Sequence, residues 1–155
     1  MSRKEELYVR KIESGTVIDH IAAGHSLDVL RILKINGRGE SVVSVLINVP
    51  SKKVGRKDIV KVDRRELRPE EVDKIALVAP NATINIVRGF EVVDKKKVKL
   101  PRLIKGIIRC DNPTCVSNAN EPVESIFLVE QVEPLRVRCH YCTRIMESGD
   151  ILKQF

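Results

Sequence analysis

The apolar positions of this chain change period along its length, and the changes mark out its elements. LYVRKI (7–12) and TVIDHI (16–21) are β-rich runs separated by ESG, which predicts two strands joined by a turn. GHSLDVLRILKI (24–35) shifts to a helical stripe of Leu27, Leu30, Ile32 and Leu33, with Ser26 as the expected N-cap and Gly37 and Gly39 beyond its end. SVVSVLINV (41–49) reads as a strand closed by Pro50, and KDIVKV (57–62) as another. RPEEVDKIALVAP (68–80) predicts a second helix. Pro69 suits its first turn, Glu70 and Glu71 favour the positive end of its dipole, and Pro80 stops it. TINIVR (83–88) and FEVV (90–93) are two strands across a tight turn at Gly89. The order ββαββαββ packs most simply as an antiparallel sheet with two helices on one face, an α+β ferredoxin-like sandwich.

Beyond it the pattern changes. DKKKVKLPRL (94–103) is basic and extended, with Pro101, and reads as a short linker or exposed strand; we place a boundary between domains 1–98 and 99–155 there. The second part shows only short β-type runs, LIKGIIRC, ESIFLVEQV and PLRVRC, with ILKQF as a possible addition and no helix. A domain of this size buries little apolar surface and needs a staple.

Composition sharpens this division. The chain has 155 residues, 43% hydrophobic and 32% charged, which suits a globular protein. No apolar run is long enough to span a membrane, and MSRKEELYVRKIES lacks the apolar core of a signal peptide, so the expected location is cytoplasmic. The net charge is +7, yet residues 101–155 hold seven basic and seven acidic residues. The whole excess therefore lies in the first domain, where a polyanionic partner would bind. A solvated basic surface of thermophile type is the plainer explanation of the same charge.

All four cysteines lie in the neutral second part, as Cys110-x4-Cys115, 23 residues, then Cys139-x2-Cys142. Thiols stay reduced in the cytosol, which argues against disulfides. Two close pairs in one small domain point to four thiolates around a structural Zn²⁺, with iron as an alternative for the same cage. Four ligands leave no open position for catalysis, and His140 reads as an exposed histidine of the knuckle.

The first domain carries different chemistry. In SKKVGRKDIVK (51–61), Gly55 allows a tight turn, and Lys57, Ile59 and Lys61 alternate so that all three share one face. Two ammonium groups so placed suit a polyphosphate, although on its own the stretch reads more simply as a solvated basic hairpin. The stretch has no P-loop pattern. Asp19, His20 and Asn85 are polar residues within strands and could bind a ribose and a base, although each alone reads more simply as a strand-surface residue. No nucleophile–base pattern stands out, so a binding or regulatory protein fits better than an enzyme.

GTVIDHI (15–21), NVPSKKVGRKDIVKV (48–62), IALVAPNATIN (75–85), FEVVDK (90–95) and the four-cysteine pattern, in this order, closely resemble the regulatory chain of aspartate carbamoyltransferase, in an archaeal-type form. The resemblance covers essentially the whole chain. It implies a non-catalytic subunit in pyrimidine biosynthesis. Its first domain binds the effectors CTP, ATP and UTP, and its zinc domain docks on the catalytic chain. Regulatory chains pair as homodimers within a dodecamer of six catalytic and six regulatory chains. Carried over by position, Lys57, Lys61 and Lys95 meet triphosphate and ribose. Asp19 and His20 lie near ribose and phosphate, and Ile12, Val17, Asn85, Val87 and Val92 wall the base, with Ile59 beside the lysines. Lys11 and Phe90 depart from the family's small residue and tyrosine. The 94–103 stretch, as the only covalent link, is expected to carry the signal.

Two other classes are weighed against this. A zinc-ribbon RNA-binding protein would fit pI ≈ 9.4, but the zinc part is neutral and aromatic platforms are scarce. A zinc deaminase lacks its H-x-E…P-C-x-x-C signature.

Overall fold

The computed structural model of the chain describes residues 11–53, 55–119 and 123–155. The strand expected over 7–12 lies mostly outside them; Lys11 and Ile12 precede the first described strand. That strand is β1 (Gly15–Ala22), followed by α1 (Ser26–Ile32), β2 (Val43–Ser51), β3 (Gly55–Asp63), α2 (Pro69–Ala76), β4 (Thr83–Arg88) and β5 (Glu91–Lys97). All pairings are antiparallel, in the order β2-β3-β1-β4-β5. Without β5 this is the ferredoxin-like arrangement, with β1 and β3 central.

The core lies on one face of this sheet. Ile18, Val60, Val62 and Ile84 meet Val29, Ile32, Leu33 and Ile75 of the helices. Period-two alternation explains which residues do so: Asp58, Val60 and Val62 are buried while Lys57, Ile59 and Lys61 are half-exposed on the other side. Gly15 fits this crowding only because it has no Cβ, which would fall 2.1 Å from the Val62 carbonyl oxygen.

Several local expectations change. The buried stripe of α1 is Ser26, Val29 and Ile32, whereas Leu27 is 64% exposed. A stripe through Leu27 is rotated away from the face that the sheet covers. Ser26 begins α1 rather than capping it. The cap comes from β3 instead: the fully buried Asp58 accepts the backbone N–H groups of Gly24 and Ser26 at 3.1 Å each and of Asn48 at 3.0 Å. Burial raises the Asp58 pKa, but these bonds outweigh it and hold the carboxyl below its ordinary value. Pro50 does not close its strand. β2 runs on to Ser51, which an edge strand permits because a missing N–H there need not break a ladder. Arg65 joins the two helices, reaching the Leu33 carbonyl at 3.3 Å and Glu71 at 3.0 Å.

Of the 94–103 stretch, residues 94–97 belong to β5, and Val98 is buried with its N–H bonded to the Ala82 carbonyl at 2.9 Å. A second sheet follows, β6 (Leu103–Lys105), β7 (Ile126–Gln131), β8 (Arg136–Cys139) and β9 (Ile145–Glu147), antiparallel in sequential order. Phe127, Val137, Met146, Ile104 and Ile108 fill its core with the cysteines. This part does contain a helix, contrary to expectation: α3 (Ser148–Leu152) takes the start of ILKQF, which adds no strand. Glu147 and Asp150 form a capping box that starts it. Leu77 joins the second core, and Phe155 packs against both.

Candidate functional site

The four cysteines converge although they come from three loops and a strand end. Cys139 ends β8, Cys142 lies in the knuckle after it, and Cys110 and Cys115 flank a turn stapled by Asn118, whose Nδ2 donates to the Cys110 and Asn112 carbonyls at 2.8 Å each. Thr143 turns the knuckle with φ 65°, its N–H returning to the Cys139 carbonyl at 3.0 Å. All four sulfurs lie within 4.8 Å of one another, with Cys110–Cys142 at 3.5 Å and Cys115–Cys139 at 3.7 Å. Tetrahedral metal–thiolate bonds of about 2.3 Å put sulfurs about 3.8 Å apart, so the cage fits such an ion.

The thiols are electrically uneven. The Arg144 N–H holds Cys142 down to about 6, whereas burial pushes Cys110 well up. Four adjacent thiolates need a cation to balance them, and a bound metal supplies it. His140 is exposed and stacks edge-on with Tyr141, outside the cluster.

The residues singled out on the first sheet share the face opposite the helices. Register aligns Lys61 with Val17, Val17 with Asn85, and Asn85 with Lys95, a row across four strands. Lys61 and Lys95 are thus three strand spacings, about 14 Å, apart at their backbones. Val87 and Gly15 make the next row, and Val92 pairs with Val87. Ile59 is half-exposed between Lys57 and Lys61. Ile12 is half-buried one residue before Glu13, whose carbonyl accepts the Phe90 N–H at 2.9 Å, so it lies beside the β4–β5 turn rather than in the row.

Toward the other end, β1 is bulged between Ile18 and Ile21, and His20 takes φ 57°, a conformation that non-glycine residues rarely adopt. The bulge brings Asp19 Oδ1 to 2.9 Å from Lys57 Nζ and His20 Nδ1 to 3.2 Å from Thr83 Oγ1. Burial raises the Asp19 pKa, but Lys57, the His20 N–H and their charges together lower it. Asp19 is therefore a carboxylate, neutralising one of the two lysines on β3.

Two family models match the chain. The allosteric domain of the aspartate carbamoyltransferase regulatory chain covers residues 7–99, and the metal binding domain of the same chain covers residues 102–152. The chain belongs to the aspartate carbamoyltransferase regulatory chain family. It is 56% identical to the regulatory chain of Korarchaeum cryptofilum over 152 residues, 97% of both chains. It is 57% identical to that of Pyrococcus abyssi over 95% of this chain and 97% of the other. It is 51% identical to that of Methanothermobacter thermautotrophicus over 100% and 99%. As a regulatory chain it is a non-catalytic subunit of an allosteric enzyme of pyrimidine biosynthesis.

Some residues of this regulatory chain escape a reading of the sequence. Thr83, the partner of His20, shares the face of Asn85 by simple alternation and could have been found that way. Lys97 aligns with Thr83 by the same rule. The bulge at His20 has no local signal, since a non-glycine residue takes positive φ inside an otherwise regular β run.

Proposed function

We propose that the open face of the first sheet is the nucleotide effector site of this regulatory chain and that the four cysteines hold zinc. The observation that carries the reading is the Lys61–Val17–Asn85–Lys95 row with Lys57 beside it. It offers cations at both flanks, an amide and an apolar wall between them, which matches the charge, edge and face of a nucleoside triphosphate. Lys57 and Lys61 meet triphosphate and ribose, and Lys95 reaches the phosphates. Asp19 and His20 meet ribose and phosphate, Ile12, Val17, Asn85, Val87 and Val92 surround the base, and Ile59 lies beside the lysines. CTP, ATP and UTP share the phosphates and differ at the base edge. There an unpaired buried polar group costs about 1–3 kcal/mol, enough to rank them.

The division at residues 98 and 99 then separates an effector domain from a zinc domain that docks on the catalytic chain. Regulatory chains pair through the effector domains, in a cytoplasmic dodecamer of six catalytic and six regulatory chains. An effector acts by binding the two quaternary states unequally, a coupling of about 1–3 kcal/mol.

Reconstitution tests the proposal. The chain is mixed with a catalytic trimer, with and without zinc, and assembly and CTP-dependent carbamoylation of aspartate are measured. Zinc-dependent assembly with a CTP response is expected. Assembly without zinc, or an assembled enzyme indifferent to all three nucleotides, overturns it.

A further inference from the structure

The arm that carries Cys110 has no ladder of its own. β6 ends at Lys105, and residues 106–110 reach the cage as bends and irregular backbone. By contrast, Cys139 and Cys142 are fixed by the β8–β9 hairpin. Ser125 bonds the Gly106 N–H and the Ile108 carbonyl, and Asn118 the Cys110 carbonyl, while between them Arg109 is held by a side chain from 45 residues further on. Gln154 Oε1 accepts the Arg109 N–H at 2.7 Å, and Gln154 Nε2 donates to the Arg109 carbonyl at 2.5 Å. That carbonyl belongs to the peptide whose nitrogen is the N–H of Cys110. Gln154 thereby replaces a neighbouring strand for one residue, immediately before a ligand.

The residue after it is held elsewhere. The Phe155 main-chain oxygen accepts Arg31 Nε of α1 at 2.6 Å, Lys74 Nζ of α2 lies 5.9 Å from the centre of its ring, and the ring packs against both cores. Ile151 of α3 is buried in the second core and Leu152 packs against the first.

We propose that Gln154 is a positioning residue for the metal cage, setting the Cys110 arm in place, and that Phe155 ties this arm to α1 and α2. The metal site and the helical face of the first sheet are then mechanically joined through the last two residues. This rests on the four-cysteine cluster being a metal site.

The test uses the full chain as wild type, Gln154→Ala and Gln154→Glu, each loaded with Co²⁺ for spectroscopy and with Zn²⁺ for release to a colorimetric chelator. All three should show the absorption of a four-thiolate Co²⁺ site, since no ligand is changed. Zinc release should quicken about tenfold or more in Gln154→Ala, in line with the loss of a residue that orients a ligand. Gln154→Glu keeps the acceptor and should fall between, and it carries the test if Gln154→Ala does not fold. Amide hydrogen exchange around Arg31 should rise in zinc-loaded Gln154→Ala. Release within twofold of wild type in both variants, or unchanged exchange in α1, overturns the inference while leaving the metal reading intact. A wild-type chain without the thiolate spectrum removes the metal reading and this inference with it.

Discussion

The two sheets of this chain solve the same problem by different means. The first buries aliphatic residues beneath two helices on one face and, among the described residues, leaves the other face uncovered. The second packs Phe127, Met146, Ile104 and Ile108 together with Cys110, Cys115 and Cys139, so thiols make up part of its buried core. The first sheet is thus held by aliphatic burial and the buried Asp58, with Lys57, Lys61, Asn85 and Lys95 outside that core. In the second sheet the most reactive side chains are consumed by the fold. A regulatory chain needs both, a face that meets a ligand and a stable body that meets a partner.

The difference predicts how each part breaks. The largest effect comes from the cage. Cys115→Ser, or removal of the metal by a chelator, should withdraw about 10 kcal/mol of metal-coupled folding free energy from the second sheet. Hydrogen-exchange protection in β7 and β8 should vanish while that of β1, β3 and β4 persists. Loss of protection in both sheets together would show that the first does not stand by its own core.

Asp58→Asn is the counterpart for the first sheet. It leaves two or three buried N–H groups facing an amide instead of a carboxylate, and about 3 kcal/mol of stability should go. Thermal unfolding followed by exchange should show the first sheet opening earlier than in the wild type.

Acid should separate the two parts without mutation. Metal binding requires deprotonated thiols, so the second sheet should be lost first as pH falls and the metal is released. Asp58 and Glu71 have folded pKa values held below their ordinary values of 3.8 and 4.5. Their stabilisation is present above those values and is lost only as pH falls through the lower, folded ones. Far-ultraviolet circular dichroism and zinc release across pH 7 to 2 should therefore give two steps, metal release first. A single coincident step would mean that the sheets fail together.

The smallest effect on stability, and the largest on binding, belongs to the open face. Lys61→Gln should change stability by less than about 0.5 kcal/mol. It should weaken CTP binding about tenfold, the loss of one charge-assisted contact.

The open face was also the part most legible in the sequence. Alternation alone put Lys57, Ile59 and Lys61 together, and β-branched runs marked β1, β3 and β4 within a residue or two. The cage followed from cysteine spacing. What stayed hidden depends on partners far along the chain. The cap of α1 is an aspartate 32 residues beyond Ser26, and the clamp on Arg109 is a glutamine 45 residues beyond it. Helix α3 is only five residues long, too short for an apolar period, and only its capping pair announces it. The exposed Leu27 shows the limit from the other side, since a seven-residue helix fixes a stripe only loosely.

The central claim is that nucleotide binding and metal-dependent folding reside in different sheets. The most direct test is a calorimetric titration of CTP into the full chain before and after metal removal. The account predicts one site with a dissociation constant unchanged within about twofold, in a chain whose second sheet has lost its exchange protection. Loss of CTP binding together with the metal would contradict it.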